Sequence, residues 1–122
     1  MSGFILIIEN EAYVREALTD ILEIVGLKAI NAQNGREAIT AFHSLQSFID
    51  LVIMDMRLPD MDGTQILQEL EAIQPNVKVI VASGEDKQKL LRHFSAHPNV
   101  SVLQKPYDMD TMLDNVWQMI ND

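Results

Sequence analysis

The chain has 122 residues, 48% of them hydrophobic, with nine basic against eighteen acidic side chains, a formal net charge of −9 and no cysteine. That is the length and apolar content of one packed domain. The negative charge argues against direct contact with nucleic-acid phosphates, and the missing cysteines exclude disulfides and thiolate chemistry, as expected of a cytoplasmic protein. No apolar run approaches the roughly 20 residues that span a bilayer. The first such run is also too short, and lacks the preceding basic residues, to act as a secretory signal.

Phe4-Ile5-Leu6-Ile7-Ile8 reads as a buried strand that ends in Glu9-Asn10-Glu11. Tyr13, Val14, Ala17, Leu18, Ile21, Leu22 and Val25 then recur at helical spacing, and Gly26 is placed to stop that helix. Residues 27–32 form a weaker strand pattern. Asn34-Gly35 is a turn, after which Ala38, Ile39, Phe42 and Leu45 mark a second helix. Asp50 leads into Leu51-Val52-Ile53-Met54, a central strand that ends on Asp55. Residues 55–63 (Asp-Met-Arg-Leu-Pro-Asp-Met-Asp-Gly) are turn-prone, with Asp62-Gly63 suited to starting a helix and Asp60 expected in solvent. Ile66, Leu67, Leu70 and Ile73 give a third helix, closed by Pro75-Asn76. Residues 77–82 form a fourth strand ending on Ser83-Gly84, and Leu90, Leu91 and Phe94 mark a short fourth helix. Val100-Ser101-Val102-Leu103-Gln104 is a fifth strand ending on Lys105-Pro106. Met112, Leu113, Val116, Trp117 and Ile120 give a fifth helix, with Asp108 or Asp110 as its N-cap.

Five strands alternating strictly with five helices make an α/β fold built from βαβ units, and right-handed crossovers favour a doubly wound sheet with helices on both faces. Ligands in such folds bind beyond the carboxyl ends of the strands. Asp55, the Glu9-Asn10 pair, Ser83 and Lys105 all stand at such ends. Oxygen ligands without thiols suit a hard cation such as Mg²⁺, and acid, hydroxyl and lysine together suit a phosphoryl group. His43, His93 and His97 lack metal-ligand spacing and read as surface or packing residues.

With Glu9-Asn10, the run 55–63, Ser83-Gly84 and Lys105-Pro106 in this order and spacing, the chain resembles a receiver domain of the two-component response-regulator family over its whole length, residues 1–122. The resemblance implies the flavodoxin-like strand order 2-1-3-4-5. It implies that Asp55 accepts a phosphoryl group from a sensor histidine kinase or phosphotransfer protein. Mg²⁺ would be held by Glu9, Asn10, Asp55 and the backbone carbonyl of Arg57, with Ser83 and Lys105 on the phosphoryl oxygens. It further implies a Lys105-Pro106 peptide of the cis form, no turnover of a separate metabolite, and a downstream output domain or protein. That output would be read from a face made by residues 87–96, 100–103 and 112–121, through which a homodimer is also open.

Two positions depart from the pattern. Asn10 stands where the family has an acid, so the site loses one formal negative charge and weaker Mg²⁺ binding is expected. Val102 stands where an aromatic residue often turns inward, and Tyr107 matches a different aromatic position. Arg57 and Glu85, each two residues beyond a site residue, are positions that set the lifetime of the phosphoryl group in the family, here with the option of an ion pair. A second reading stays open on these departures: a degenerate receiver acting as a phosphorylation-independent interaction module. A small α/β enzyme or nucleotide binder fits less well. A dehalogenase-type phosphatase wants an acid where Arg57 stands, and the five glycines lack phosphate-loop spacing.

Overall fold

The computed structural model describes residues 3–122. It contains β1 (Phe4–Ile8), α1 (Ala12–Ile24), β2 (Lys28–Ala32), α2 (Gly35–Leu45), β3 (Ile49–Asp55), α3 (Gly63–Ile73), β4 (Val79–Ser83), α4 (Lys87–His93), β5 (Val100–Gln104) and α5 (Met109–Asn121). One 3-10 turn, Gln46–Phe48, joins α2 to β3. The strands form one parallel sheet in the order β2-β1-β3-β4-β5. This is the expected doubly wound α/β topology, with β1 and β3 side by side where the direction of winding reverses.

Side chains alternate across each strand, so the sheet separates two apolar clusters. Leu6, Ile8, Val52, Met54, Val79 and Val81 face α2, α3 and α4, where they meet Phe42, Ile66, Leu70 and Leu90. Ile5, Ile7, Leu51, Ile53 and Ile80 face α1 and α5, where they meet Leu18, Leu22, Met112 and Val116. Val102 packs into the first cluster and is buried. Among the described residues no helix is long and apolar enough to cross a membrane.

The helix ends follow local chemistry. Gly26 adopts φ +86°, and the N–H groups of Gly26 and Leu27 donate to the carbonyls of Glu23 and Leu22, closing α1 as a Schellman motif. Asn34 caps α2 by accepting from the Glu37 N–H. Asp62 and Gln65 form a reciprocal capping box on α3, and Asp108, not Asp110, caps α5.

Several expected boundaries move. The fourth strand starts at Val79, because the Val77 N–H is taken by the Gln74 carbonyl in a turn. The central strand starts earlier, at Ile49, which pairs with Phe4 before a register shift. Asp60 is exposed but is not simply solvated: its carboxylate accepts from the N–H groups of Gly35 and Arg36 at 2.8 and 3.0 Å, at the start of α2. Those bonds hold its carboxyl below the usual carboxylate range. Two histidines join α4 and the loop after it to α3: His93 lies 2.8 Å from Thr64 Oγ1, and His97 Nδ1 lies 2.8 Å from Glu71 Oε2.

Candidate functional site

The carboxyl ends of β1, β3, β4 and β5 converge on one cleft. The part lined by Asp55, Arg57, Ser83, Gly84, Glu85 and Lys105 encloses about 420 Å³. Asp55 is the last residue of β3. One of its oxygens, Oδ2, accepts from Lys105 Nζ at 3.2 Å, and Oδ1 accepts from the Arg57 N–H at 3.3 Å. Lys105 reaches the site because β5 lies beside β4 and the Lys105 N–H donates to the Ser83 carbonyl at 2.7 Å. The peptide that follows, Lys105-Pro106, is cis. Ser83 is buried, and its Oγ accepts from the Glu85 N–H at 3.1 Å, leaving its own O–H free to donate into the cleft.

Glu9 is only 6% exposed, unusual for an acid. Its Oε2 accepts from the Glu11 N–H at 3.0 Å, and its Oε1 lies 3.9 Å from Lys105 Nζ. Burial pushes the Glu9 carboxyl up; the Glu11 N–H opposes this, Asp55 adds to it, and Lys105 offsets part of it. On Lys105, burial works against the charge, but Asp55 and then Glu9 outweigh it and the ammonium is held above its usual range. Two carboxylates therefore share one lysine, and the group keeps a net negative charge. Burial likewise pushes the Tyr107 phenol up.

This donor set fits Mg²⁺. A buried carboxylate pressed by a neighbouring carboxylate is stabilised by a cation, and every available donor is oxygen. Among the described residues, however, no group of three or more acidic or histidine side chains is placed to hold a metal ion. Glu9 and Asp55 would supply the charge, with the remaining positions left to Asn10, the Arg57 carbonyl and water. Asn10 is exposed, so its side-chain amide is less constrained than the buried Glu9 carboxylate. Glu9, Asp55, Ser83 and Lys105 are thus brought together. Arg57 and Glu85 line the same cleft but are not ion-paired.

Three contacts around the site go beyond what the sequence indicates. Arg15, on α1, donates from one guanidinium nitrogen to the carbonyls of Glu9 and Asn10. The Gln104 Oε1 accepts from the Lys87 N–H at the start of α4. Gly63 approaches the Met56 backbone so closely that its N–H donates to the Met56 carbonyl at 2.7 Å. The second contact joins residues on different elements, the first ties α1 to the turn before it, and no local pattern announces either. Gly63 had a signal, the invitation to close approach that a glycine offers.

Comparison with known proteins settles the family. The model for the response regulator receiver domain matches residues 5–117. The chain belongs to the response regulator receiver domain family. It is 36% identical over 92 residues to the chemotaxis protein CheY of Thermotoga maritima, covering 75% of each chain. It is 29% identical over 119 residues to the sensor kinase CckA of Brucella abortus, where it covers 98% of this chain and spans 13% of that protein. Among solved structures, a chain of the CheX–CheY–BeF3–Mg²⁺ complex from Borrelia burgdorferi superposes with a TM-score of 0.86 at 26% identity, covering 94% of this receiver and 87% of that chain.

Proposed function

We propose that this receiver accepts a phosphoryl group on Asp55 from a phosphohistidine of a sensor kinase or phosphotransfer protein. The observation that carries the reading is the Asp55–Lys105 contact of 3.2 Å in a cleft that Ser83 also lines, with Glu9 Oε1 3.9 Å from the same ammonium. A carboxylate oxygen of Asp55 attacks phosphorus as the P–N bond breaks, and the bonding pair leaves with the imidazole nitrogen, which takes up a proton. The barrier is chiefly repulsion between anions, so stabilisation is electrostatic. Lys105 neutralises phosphoryl oxygens from the side it now offers to Asp55. The Ser83 O–H donates to another of those oxygens, and Glu9 and Asp55 hold the Mg²⁺ site. A Mg²⁺ ion held there would supply a further positive charge that offsets the repulsion between the carboxylates and the incoming phosphoryl group.

The domain catalyses only its own phosphorylation and dephosphorylation, in the cytoplasm, and passes its state to an output domain or protein. Asn10 weakens the metal site without removing it, because Glu9 is buried and already aimed at Lys105.

The test is the intact mass after incubation with Mg²⁺ and acetyl phosphate. Native protein gains one phosphate and Asp55→Asn gains none. A native protein that binds Mg²⁺ and stays unmodified would replace this reading with that of a phosphorylation-independent interaction module.

A further inference from the structure

The acidic turn after β1 is held by a residue that touches neither the acceptor nor the lysine. Arg15 Nη1 donates to the Glu9 carbonyl at 2.7 Å and to the Asn10 carbonyl at 2.9 Å. Bonds from a charged donor at these lengths are about twice as strong as neutral ones, and the first is partly buried. On this side the Glu11 carbonyl accepts from the Val14 and Arg15 N–H groups, whereas the Glu9 and Asn10 carbonyls are met by the Arg15 side chain. Glu11, the N-cap of α1, makes no capping bond with its side chain, and α1 has no acid in its first turn. The Glu9 N–H donates to the Ala32 carbonyl of β2, so the turn is fixed to the sheet from one direction and to α1 through Arg15 from the other.

We propose that Arg15 is a positioning residue for the metal site: by clamping the Glu9 and Asn10 carbonyls it fixes the turn that presents the Glu9 carboxylate to the cleft. This rests on the phosphoacceptor reading above and deepens it. Glu9 needs such support because it has one more side-chain torsion than an Asp at the same place. Its carboxylate keeps its aim only while the Glu11 N–H stays where Oε2 can accept from it. Residues 9 to 11 are the turn whose carbonyls Arg15 holds. The exposed Asn10 amide, the other side-chain ligand on this turn, depends on the same backbone.

The clamp and a simple charge effect predict opposite signs. Arg15 is also a positive charge close to a cation site, and as charge alone its removal would tighten Mg²⁺ binding. As a clamp its removal loosens it. Arg15→Met removes charge and bonds together, whereas Arg15→Lys keeps the charge and one point of donation without the spread of the guanidinium.

Calorimetric titration with Mg²⁺, beside NMR measurement of Glu11 amide exchange in metal-free protein, separates these accounts. Urea unfolding of both variants confirms that each is folded. The clamp predicts that Arg15→Met weakens Mg²⁺ binding about tenfold, the lower end for a partner that orients a ligand, and speeds Glu11 exchange. Arg15→Lys falls between it and the native protein in both. Mg²⁺ bound by Arg15→Met as tightly as by native protein, or more tightly, overturns the proposal. If native protein binds no Mg²⁺, the metal part of the functional reading fails on its own. Glu11 exchange then decides the clamp: faster in Arg15→Met upholds it, unchanged overturns it.

Discussion

Gly63→Ala tests whether the loop after the acceptor is as tightly drawn as the structure has it. A Cβ on residue 63 would lie 2.9 Å from Met56 Sδ, 3.2 Å from Met56 Cα and 3.3 Å from the Met56 carbonyl oxygen. The sulfur can swing aside, but the two backbone atoms cannot. The Met56 N–H already donates to the Ala82 carbonyl at 3.0 Å, and its carbonyl accepts from Gly63 at 2.7 Å. The strain therefore passes to Asp55 on one side and Arg57 on the other. Over-packing of this kind costs about 1–3 kcal/mol, and Ala at a helical position recovers up to about 1 kcal/mol over Gly. The net expectation is a loss of about 1–2 kcal/mol, or roughly 4–8 °C in Tm for a domain of this size. Urea unfolding measures the loss, and the intact-mass assay with acetyl phosphate should show slower modification of Asp55. Gly84→Ala is the stability control, since nothing lies within 4 Å of a Cβ there and its φ is not positive; it should shift stability by less than about 0.5 kcal/mol. A Gly63→Ala protein that unfolds at the native urea concentration would refute the close approach.

Two further predictions concern pH. Glu9 has a folded-state pKa above its ordinary value of 4.5. Its contribution to stability is therefore complete below that value and is lost as pH rises through the raised folded value. Glu9→Gln should thus gain more stability over native protein at pH 7 than at pH 4 in metal-free urea unfolding, while binding Mg²⁺ more weakly. A gain that is larger at pH 4 would contradict the burial of a charged carboxylate. Asp60 runs the other way: its pKa is lowered from 3.8 by the Arg36 and Gly35 N–H groups. Asp60→Asn should be less stable than native protein at neutral pH, and the gap should close as pH falls through the lowered value. A gap that persists in acid would show that the contact does not depend on charge.

Much of this receiver was legible in its sequence because the information was local. Apolar runs marked all five strands, and Gly26, Asn34, Asp62 and Asp108 end or begin helices through bonds to residues no more than four positions away. The site was legible because each of its residues stands at a strand end, so the sheet alone brings them together. What stayed hidden was held by distance in sequence. Asp60 meets Gly35 across 25 residues, Lys87 meets Gln104 across 17, and His97 meets Glu71 across 26. Arg15 was closer, but a guanidinium bound to carbonyls leaves no charge pattern to read. Strand limits moved for a related reason: Val77 looks like strand, yet its N–H is spent on a turn.

The two walls of the cleft are braced unequally. Beyond Asp55 the chain is tied by the Gly63–Met56 bond, by the bridge between Arg57 and Asp62, by the capping box of α3, and by Asp60 fastened to a separate helix. Beyond Ser83 the chain enters a helix of seven residues whose first N–H groups are met by Asp86 and by the exposed side chain of Gln104. So short a helix has little stability of its own. One wall is held mostly by bonds within its own stretch of chain, and the other borrows its hold from neighbouring elements, through Gln104 and through His93 beside Thr64.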